Sequence, residues 1–260
     1  MIDDVKKLFD LSDKVALVTG AGSGLGAGIA EGYAQLGAAV SVVDINPETG
    51  QSVVDGINAA GGEATAVQCD ATQEKQVRAA VAHTLNEFGK IDILVANAGI
   101  GDRSPAEEMT FEQWGRVMDI NLTGVWLFDQ EVGKHMIERG EGGRIINMAS
   151  IGGIVGVATG NANYCASKGG IIALTRCLAI EWAKYNILVN AIAPSHIRTP
   201  LIAKLMQDKP DVRTYFLNNI PLNRLGEVVD VVGPAIFLAS DAAAFVTGHV
   251  LVADGGHTAK

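Results

Sequence analysis

The feature that most restricts this chain is a regular alternation of short β-branched runs with longer amphipathic stretches, kept up from one end to the other. Parallel strands need a crossover of a dozen or more residues, usually a helix, so the alternation implies βαβ units and a parallel sheet. The runs that read as strands are Val15 to Thr19, Ala39 to Asp44, Ala64 to Gln68, Ile91 to Ala96, Arg144 to Met148, Ile187 to Ala193 and His249 to Ala253. Several of them, V-A-L-V-T and I-D-I-L-V-A among them, are nearly continuous apolar runs, as expected of strands covered by helices on both faces. Seven strands predict one α/β, doubly wound parallel sheet, and 260 residues with 48% apolar side chains and no linker-like tract predict a single domain over 1–260. Right-handed crossovers then gather the strand C-termini on one edge, where open α/β sheets bind ligands.

Charge and composition narrow the partners. Twenty basic against twenty-nine acidic side chains give a formal net charge of −9, which disfavours nucleic acid and anionic membranes. The first ten residues lack an apolar signal core, and no apolar run reaches the roughly eighteen residues of a membrane span, so the expectation is a cytoplasmic protein. Cys69, Cys165 and Cys177 form no C-x-x-C pair and read as free thiols, and the five histidines show no ligand spacing, so no metal is proposed.

After the first strand comes T-G-A-G-S-G-L-G, Thr19 to Gly26, opening a helix that runs to about Leu36. Glycines let the backbone turn sharply and approach a pyrophosphate, whose charge is favoured by free N–H groups at a helix N-terminus. Two registers compete: Gly20, Gly24 and Gly26, or Gly22, Gly24 and Ala27 in the ordinary G-x-G-x-x-[GA] pattern. Either makes a Rossmann-type dinucleotide site, with Gly20, Ser23, Gly24, Leu25 and Gly26 as cofactor-binding candidates.

Asp44 ends the second strand, eighteen residues beyond Gly26, where an acid reaches the adenine ribose. A carboxylate there accepts from the 2′-hydroxyl of NAD and repels the 2′-phosphate of NADP, and Ile45, Asn46 and Pro47 supply no cation. The expected cofactor is therefore NAD. The third strand leads into C-D-A and the fourth into N-A-G. By themselves, Asp70 reads as an N-cap for a helix beginning near Gln73 and Asn97-Ala98-Gly99 as an ordinary turn. Further on, Tyr164 and Lys168 stand in Y-C-A-S-K, and their i, i+4 spacing puts both on one helical face. Ser150 lies in N-M-A-S, fourteen residues before Tyr164, and Asn121 lies in N-L-T-G on the preceding long helical segment.

These motifs, from Lys14 to the closing D-G-G at Asp254 to Gly256, resemble the short-chain dehydrogenase/reductase family. The resemblance implies an NAD-dependent oxidoreductase interconverting a secondary alcohol and a ketone, with Asn121, Ser150, Tyr164 and Lys168 as the catalytic group. It implies that Asp70 and Ala71 contact the adenine, that Asn97 and Gly99 shape the cofactor floor, and that Lys168 bridges the nicotinamide ribose. Ser150 is then expected to bond the substrate oxygen and Asn121 to hold a relay water. A homotetramer is implied in the same way. Proton transfer to or from the substrate oxygen suits a phenol brought towards neutrality. Moving Tyr164 from about 10 to about 7 requires roughly 4 kcal/mol. An ammonium at about 4 Å and an effective dielectric of about 20 offers that much.

The resemblance thins after the sixth strand, where A-P-S-H-I-R-T-P has Ser195 in place of the family's glycine. Pro194, Ile197 and Thr199 still fit contacts with the nicotinamide carboxamide, and His196 reads as an exposed loop residue, the alternative being that it faces the substrate. A substrate lid is expected at about 199–224. The terminal segments are similar to gluconate and deoxygluconate dehydrogenases, which points to a sugar acid or polyol. Other readings are a ketoreductase acting on 3-oxoacyl carrier protein and a noncatalytic NAD-binding sensor.

Overall fold

The computed structural model describes residues 4–157, 160–199, 202–203, 206 and 210–259. Its centre is one seven-stranded, all-parallel sheet in the order β3-β2-β1-β4-β5-β6-β7. The strands are β1 (Val15–Thr19), β2 (Ala39–Asp44), β3 (Glu63–Gln68), β4 (Ile93–Ala96), β5 (Gly143–Met148), β6 (Ile187–Pro194) and β7 (Val250–Ala253). Each expected strand is present, with ends shifted by a residue or two. Ile91 falls outside β4 because its N–H goes to the His135 ring, 3.2 Å away. His249 falls outside β7 because its N–H goes to Asn190 Oδ1, 3.0 Å away.

Two cores, one on each face, explain the unbroken apolar strands. Ala16 and Val18 of β1 join Val40, Val42 and Val95 under helices α1 (Gly24–Gln35) and α2 (Pro47–Ala59). Leu17, between them in sequence, points the other way and joins Leu94, Ile145 and Val189 under α3 (Glu74–Phe88), α5 (Gly124–Arg139) and α6 (Ala162–Trp182). Alternate residues thus serve opposite layers, and both layers are apolar. Helix α4 (Phe111–Met118) precedes α5, and α7 (Pro210–Asn219) and α8 (Val229–Ala239) complete the chain. Helices α1 and α8 pack closely because a side chain at Gly28 or Gly32 would run into Val228 or Val232.

Strand order reverses between β1 and β4, which opens a crevice at their C-terminal ends. The glycine loop, the Asn97 turn, Ser150 and Pro194 all follow strand ends on that one edge. Of the expected lid, the described part includes α7, whose Phe216 joins Ile220 just beyond it and Leu225, Ile202, Met206 and Leu217 in a small separate cluster.

Candidate active site

The crevice floor is tied together between β1 and β4. Thr19, buried at the end of β1, accepts from the N–H groups of Asn97 (2.9 Å) and Ala98 (3.0 Å). Asn97 Nδ2 returns two bonds, to the carbonyls of Thr19 (2.9 Å) and Gly20 (3.1 Å). The two strand ends are held so close that a Cβ on Gly26 would stand 2.6 Å from Asn97 Nδ2, and one on Gly20 2.9 Å from Ala98 Cα. Gly20 (φ +60°) and Gly24 (φ +58°) lie in the left-handed region, which favours glycine. Position 27, by contrast, carries a buried alanine without difficulty. The glycines that the backbone requires are those of the Gly20, Gly24, Gly26 register.

Helix α1 begins at Gly24 with exposed Ser23 as its N-cap, and the Ser23 side chain makes no capping bond. Its first-turn N–H groups therefore face the crevice without a side-chain cap, which suits an anion. Leu25 packs half-buried against the core beneath. Asp44 reaches across from β2: Oδ2 accepts from Gly22 N–H at 2.8 Å and Oδ1 from Asn46 N–H at 2.9 Å. One carboxylate thus braces the glycine loop, and a Cβ on Gly22 would stand 2.9 Å from it. Each Asp44 oxygen keeps a lone pair for a ligand hydroxyl.

Asp70 is not the N-cap of the following helix. Gln73 holds that position, while Asp70 Oδ1 closes a local turn by accepting from Thr72 N–H (2.9 Å) and Oγ (2.8 Å). Ala71 next to it touches the α5 start, where a Cβ on Gly124 would come to 3.1 Å.

The four residues that the resemblance marks as catalytic come from three elements that meet beside this floor. Ser150 follows β5, is 9% exposed, and caps the short turn Ile151–Gly153 by accepting from Gly152 N–H at 3.1 Å. Tyr164, in the first turn of α6, lies with its phenol beside Ser150, which works to lower its pKa. Lys168, one turn on and 4% exposed, has Nζ 5.7 Å from the Tyr164 ring centre and donates to Met148 O at 2.6 Å.

Asn121 lies in a π turn, Asp119–Thr123, inserted between α4 and α5, where a regular helical segment was expected. The wider turn aims the fully buried Asn121 side chain inward. Its amide donates to Ile100 O (2.9 Å) and Ser167 Oγ (3.2 Å) and accepts from Ile100 N–H (2.8 Å). The side chain thus clamps the strand-β4 loop to the catalytic helix. A Cβ on Gly99 would lie 3.3 Å from Asn121 Oδ1 and 3.5 Å from Lys168 Nζ, so the glycine keeps clear the space between them.

Burial sets the resting protonation. It pushes the Tyr164 phenol above its usual value, opposed by Ser150 and by the positive charge of Arg103. Burial also pulls the Lys168 ammonium down to about 8. The expected depression of the Tyr164 pKa by Lys168 is therefore not seen here: burial outweighs it, and the ammonium is turned to the Met148 carbonyl.

The loop after β6 also departs from expectation. Pro194 pairs in the sheet with Ala253, and the Ile197 side chain is buried in the core, leaving only its main chain for a ligand. Thr199 Oγ1 accepts from Ile202 N–H at 3.4 Å. His196 is not an exposed loop residue. Its ring stacks on Phe216 at 3.6 Å, and burial, with His257 and Arg103 nearby, holds it down to about 4. Thr19, Arg103 and His257 went unrecognised in sequence. For Thr19 the T-G pair was the available signal, and for the other two there was none.

A family model described as enoyl-(acyl carrier protein) reductase matches residues 20–258. The 2,5-dichloro-2,5-cyclohexadiene-1,4-diol dehydrogenase of Sphingobium indicum is 41% identical over 251 residues, 96% of this chain and 99% of that protein. The 2-dehydro-3-deoxy-D-gluconate 5-dehydrogenase of Dickeya dadantii is 39% identical, covering 97% of this chain and 98% of that one. Among solved structures, a gluconate 5-dehydrogenase from Burkholderia cenocepacia in complex with NADP and tartrate superposes with a TM-score of 0.93 at 35% identity, covering 99% of this chain and 100% of the other. The chain belongs to the short-chain dehydrogenase/reductase family, oxidoreductases that act on CH–OH groups.

Proposed function

We propose that this chain is an NAD-dependent dehydrogenase of secondary alcohols in which Tyr164 moves the proton. The observation that carries the reading is the convergence, beside an anion-ready helix N-terminus, of the half-buried Tyr164 phenol next to Ser150 with the buried Lys168 ammonium one helical turn away. The dinucleotide, when bound, supplies the hydride acceptor or donor and, in its oxidised form, a positive charge on the nicotinamide.

The chain's own residues divide the remaining work. The main chain of Gly20 to Gly26 holds the pyrophosphate, Asp44 takes the adenine ribose hydroxyls, and Asp70 and Ala71 border the adenine. Asn97 and Gly99 form the floor, with Pro194, Ile197 and Thr199 on the opposite side. Ser150 donates to the substrate oxygen and so positions it against the Tyr164 hydroxyl. Tyr164 gives its proton to a forming alkoxide or takes one from an alcohol. Lys168 stabilises the phenolate and reaches the nicotinamide ribose. Asn121 is a positioning residue whose free Oδ1 lone pair borders the space kept by Gly99, where a relay water can connect to Lys168.

The choice of NAD rests on Asp44, since a second negative charge beside it has no local cation to offset it. Substrates of the sugar-acid or polyol class follow from the relatives. Single-domain organisation over 1–260, the homotetramer and cytoplasmic location belong to this same reading. No helix among the described residues is long and apolar enough to cross a membrane, and no cluster of metal-binding side chains occurs among them.

The test is absorbance at 340 nm with NAD or NADP and a panel of hydroxy acids, polyols, cyclic alcohols and acetoacetyl thioesters. Alcohol-dependent NADH formation, lost in Tyr164→Phe, is the expected result. Activity on thioesters alone, or turnover that survives Tyr164→Phe, overturns the reading.

A further inference from the structure

The Tyr164 side chain is only half-buried, so where its hydroxyl sits depends on how firmly its own main chain is held. Two buried polar side chains that the hydride chemistry does not use, Asn163 and Ser167, bond to that main chain, one on each side of Tyr164 Cα. Tyr164 N–H lies in the first turn of α6, where a helix offers its donors no acceptor of its own. Asn163 Oδ1 takes it at 2.7 Å. Ser167 Oγ donates to Tyr164 O, also at 2.7 Å.

Both side chains lead on to one segment, the loop after β4. Asn163 Nδ2 donates to Asp102 O at 3.0 Å and to Gln113 O of α4 at 3.3 Å. Ser167 Oγ accepts from Asn121 Nδ2 at 3.2 Å, and Asn121 holds the Ile100 N–H at 2.8 Å and the Ile100 carbonyl at 2.9 Å. Followed from Ile100 through Asn121, Ser167, Tyr164 and Asn163 to Asp102, the bonds close a ring whose last link is the covalent chain 100–102. The segment of that link is braced from outside as well. The Asp102 carboxylate accepts from Gln113 Nε2 at 3.3 Å and from Arg116 at 2.8 Å, and Ser104 N–H donates to Gly160 O at 3.0 Å. Gly160 takes the left-handed conformation (φ +72°) and admits the Ser104 main chain to 2.6 Å from where its Cβ would be.

Asn121, Asn163 and Ser167 are each 0% exposed. Water cannot replace a partner that any of them loses, so each bond resists opening while the others stay closed. Turning the Tyr164 peptide in either direction stretches the bond to Asn163 or the one to Ser167.

We propose that Asn163 and Ser167 are positioning residues for the proton transfer: they lock the Tyr164 main chain to residues 100–102, so that the phenol and the loop leaving the crevice floor at Gly99 hold one fixed relation. This rests on Tyr164 being the reacting centre. A misplacement of about 1 Å at the reacting atoms costs about 10²-fold in rate, so a ring that acts on placement alone has a large effect available to it.

The test is a double-mutant cycle with Tyr164→Phe, run with NAD and the alcohol of the 340 nm panel that gives the highest kcat/KM, and read as hydride transfer in a single turnover. Ser167→Ala and Asn163→Ala should each slow that step by about 10- to 100-fold, with NADH affinity by fluorescence titration moving less than about threefold. In the Tyr164→Phe background the same substitutions should slow it by less than about threefold, because a residue acting only through the phenol has nothing left to act on. Hydrogen exchange of residues 99–104 should quicken in Ser167→Ala, although that substitution leaves the loop's own residues untouched. If Asn163→Ala does not fold, Ser167→Ala, which removes a single hydroxyl, decides the cycle. Equal slowing in both backgrounds overturns the proposal, since the two side chains then serve the fold and not the phenol. A wild-type rate in Ser167→Ala overturns it too, and in both cases the reaction itself still stands. Full turnover by Tyr164→Phe alone strikes the phenol from its role, and the proposal with it.

Discussion

The two sides of the crevice are built differently. On the glycine-loop side the contacts run between main chain and main chain, or through one short side chain: Thr19 and Asn97 lock two strand ends, and Asp44 braces Gly22. On the other side the walls are aromatic side chains from three separate segments, His196, Phe216 and His257. A site that must hold an unchanging ligand gains from backbone geometry, which few substitutions can alter. A site that sets selectivity is made from side chains that can change without moving the sheet. The first kind is expected to fail abruptly on mutation and the second to change its preference.

The sharpest separation is expected at the junction of the two. Tyr164→Phe removes one hydroxyl and should lower kcat by roughly 10² to 10⁴. NADH binding, followed by fluorescence titration, should move only a few-fold. A variant keeping more than a tenth of wild-type kcat with chemistry rate-limiting would remove Tyr164 from its role.

Next in size is Gly26→Ala. Alanine normally suits a helix better than glycine, by about 1 kcal/mol. Here the new methyl meets Asn97 Nδ2 at 2.6 Å and also the Gly20 carbonyl. Overpacking of this kind costs about 1–3 kcal/mol, so a lower melting temperature and at least tenfold weaker NADH binding are expected. A neutral or stabilised variant would show that the lock between β1 and β4 is slack, and the contrast between the two sides would fall with it.

A smaller change, in preference and not in activity, is expected from Asp44→Ser with Ile45→Arg. Wild type should favour NAD over NADP more than tenfold in kcat/KM, about 1.4 kcal/mol, and the pair should narrow that gap. Equal use of both cofactors by wild type would overturn the assignment of Asp44 to the ribose.

The smallest effect on catalysis, though not on stability, concerns a polar cluster beneath α6. Asp129 of α5 is fully buried, accepts from Asn147 Nδ2 at 3.0 Å, and is pushed up to about 8 by burial. The folded state therefore holds a proton that the unfolded chain releases near pH 4, so stability falls as pH rises from about 4 to about 8. Asp129→Asn removes that dependence. Its melting temperature should exceed wild type at pH 8, and the difference should shrink towards pH 5. A parallel pair of melting curves across that range would show that Asp129 is ionised in the fold.

Much of this molecule was legible from periodicity and local motifs. The seven strands could be read because a strand buried on both faces has to be apolar throughout, and the glycine loop because only glycine takes φ near +60° at Gly20 and Gly24 without strain. Tyr164 and Lys168 were legible as a pair through helical spacing joined to the family resemblance. Without the family resemblance Asp70 reads as a helix cap, because a local turn and an N-cap use the same short acid. His196 was misread because nothing in A-P-S-H-I-R reveals a stacking partner twenty residues later in Phe216.

By itself the sequence determined the sheet, its ligand-binding edge and the positions of the glycine loop, Asp44, Ser150, Tyr164 and Lys168, since each follows from spacing within one element or at one strand end. Only the tertiary structure decided that Thr19 and Asn97 lock together across 78 residues, that a π turn aims Asn121 at Ile100, and that His196, Phe216 and His257 share one wall. The physical reason is range. Periodicity and turn chemistry act over a few residues, whereas a hydrogen bond or an electrostatic contact depends on distance in space, which the packing of the two layers sets.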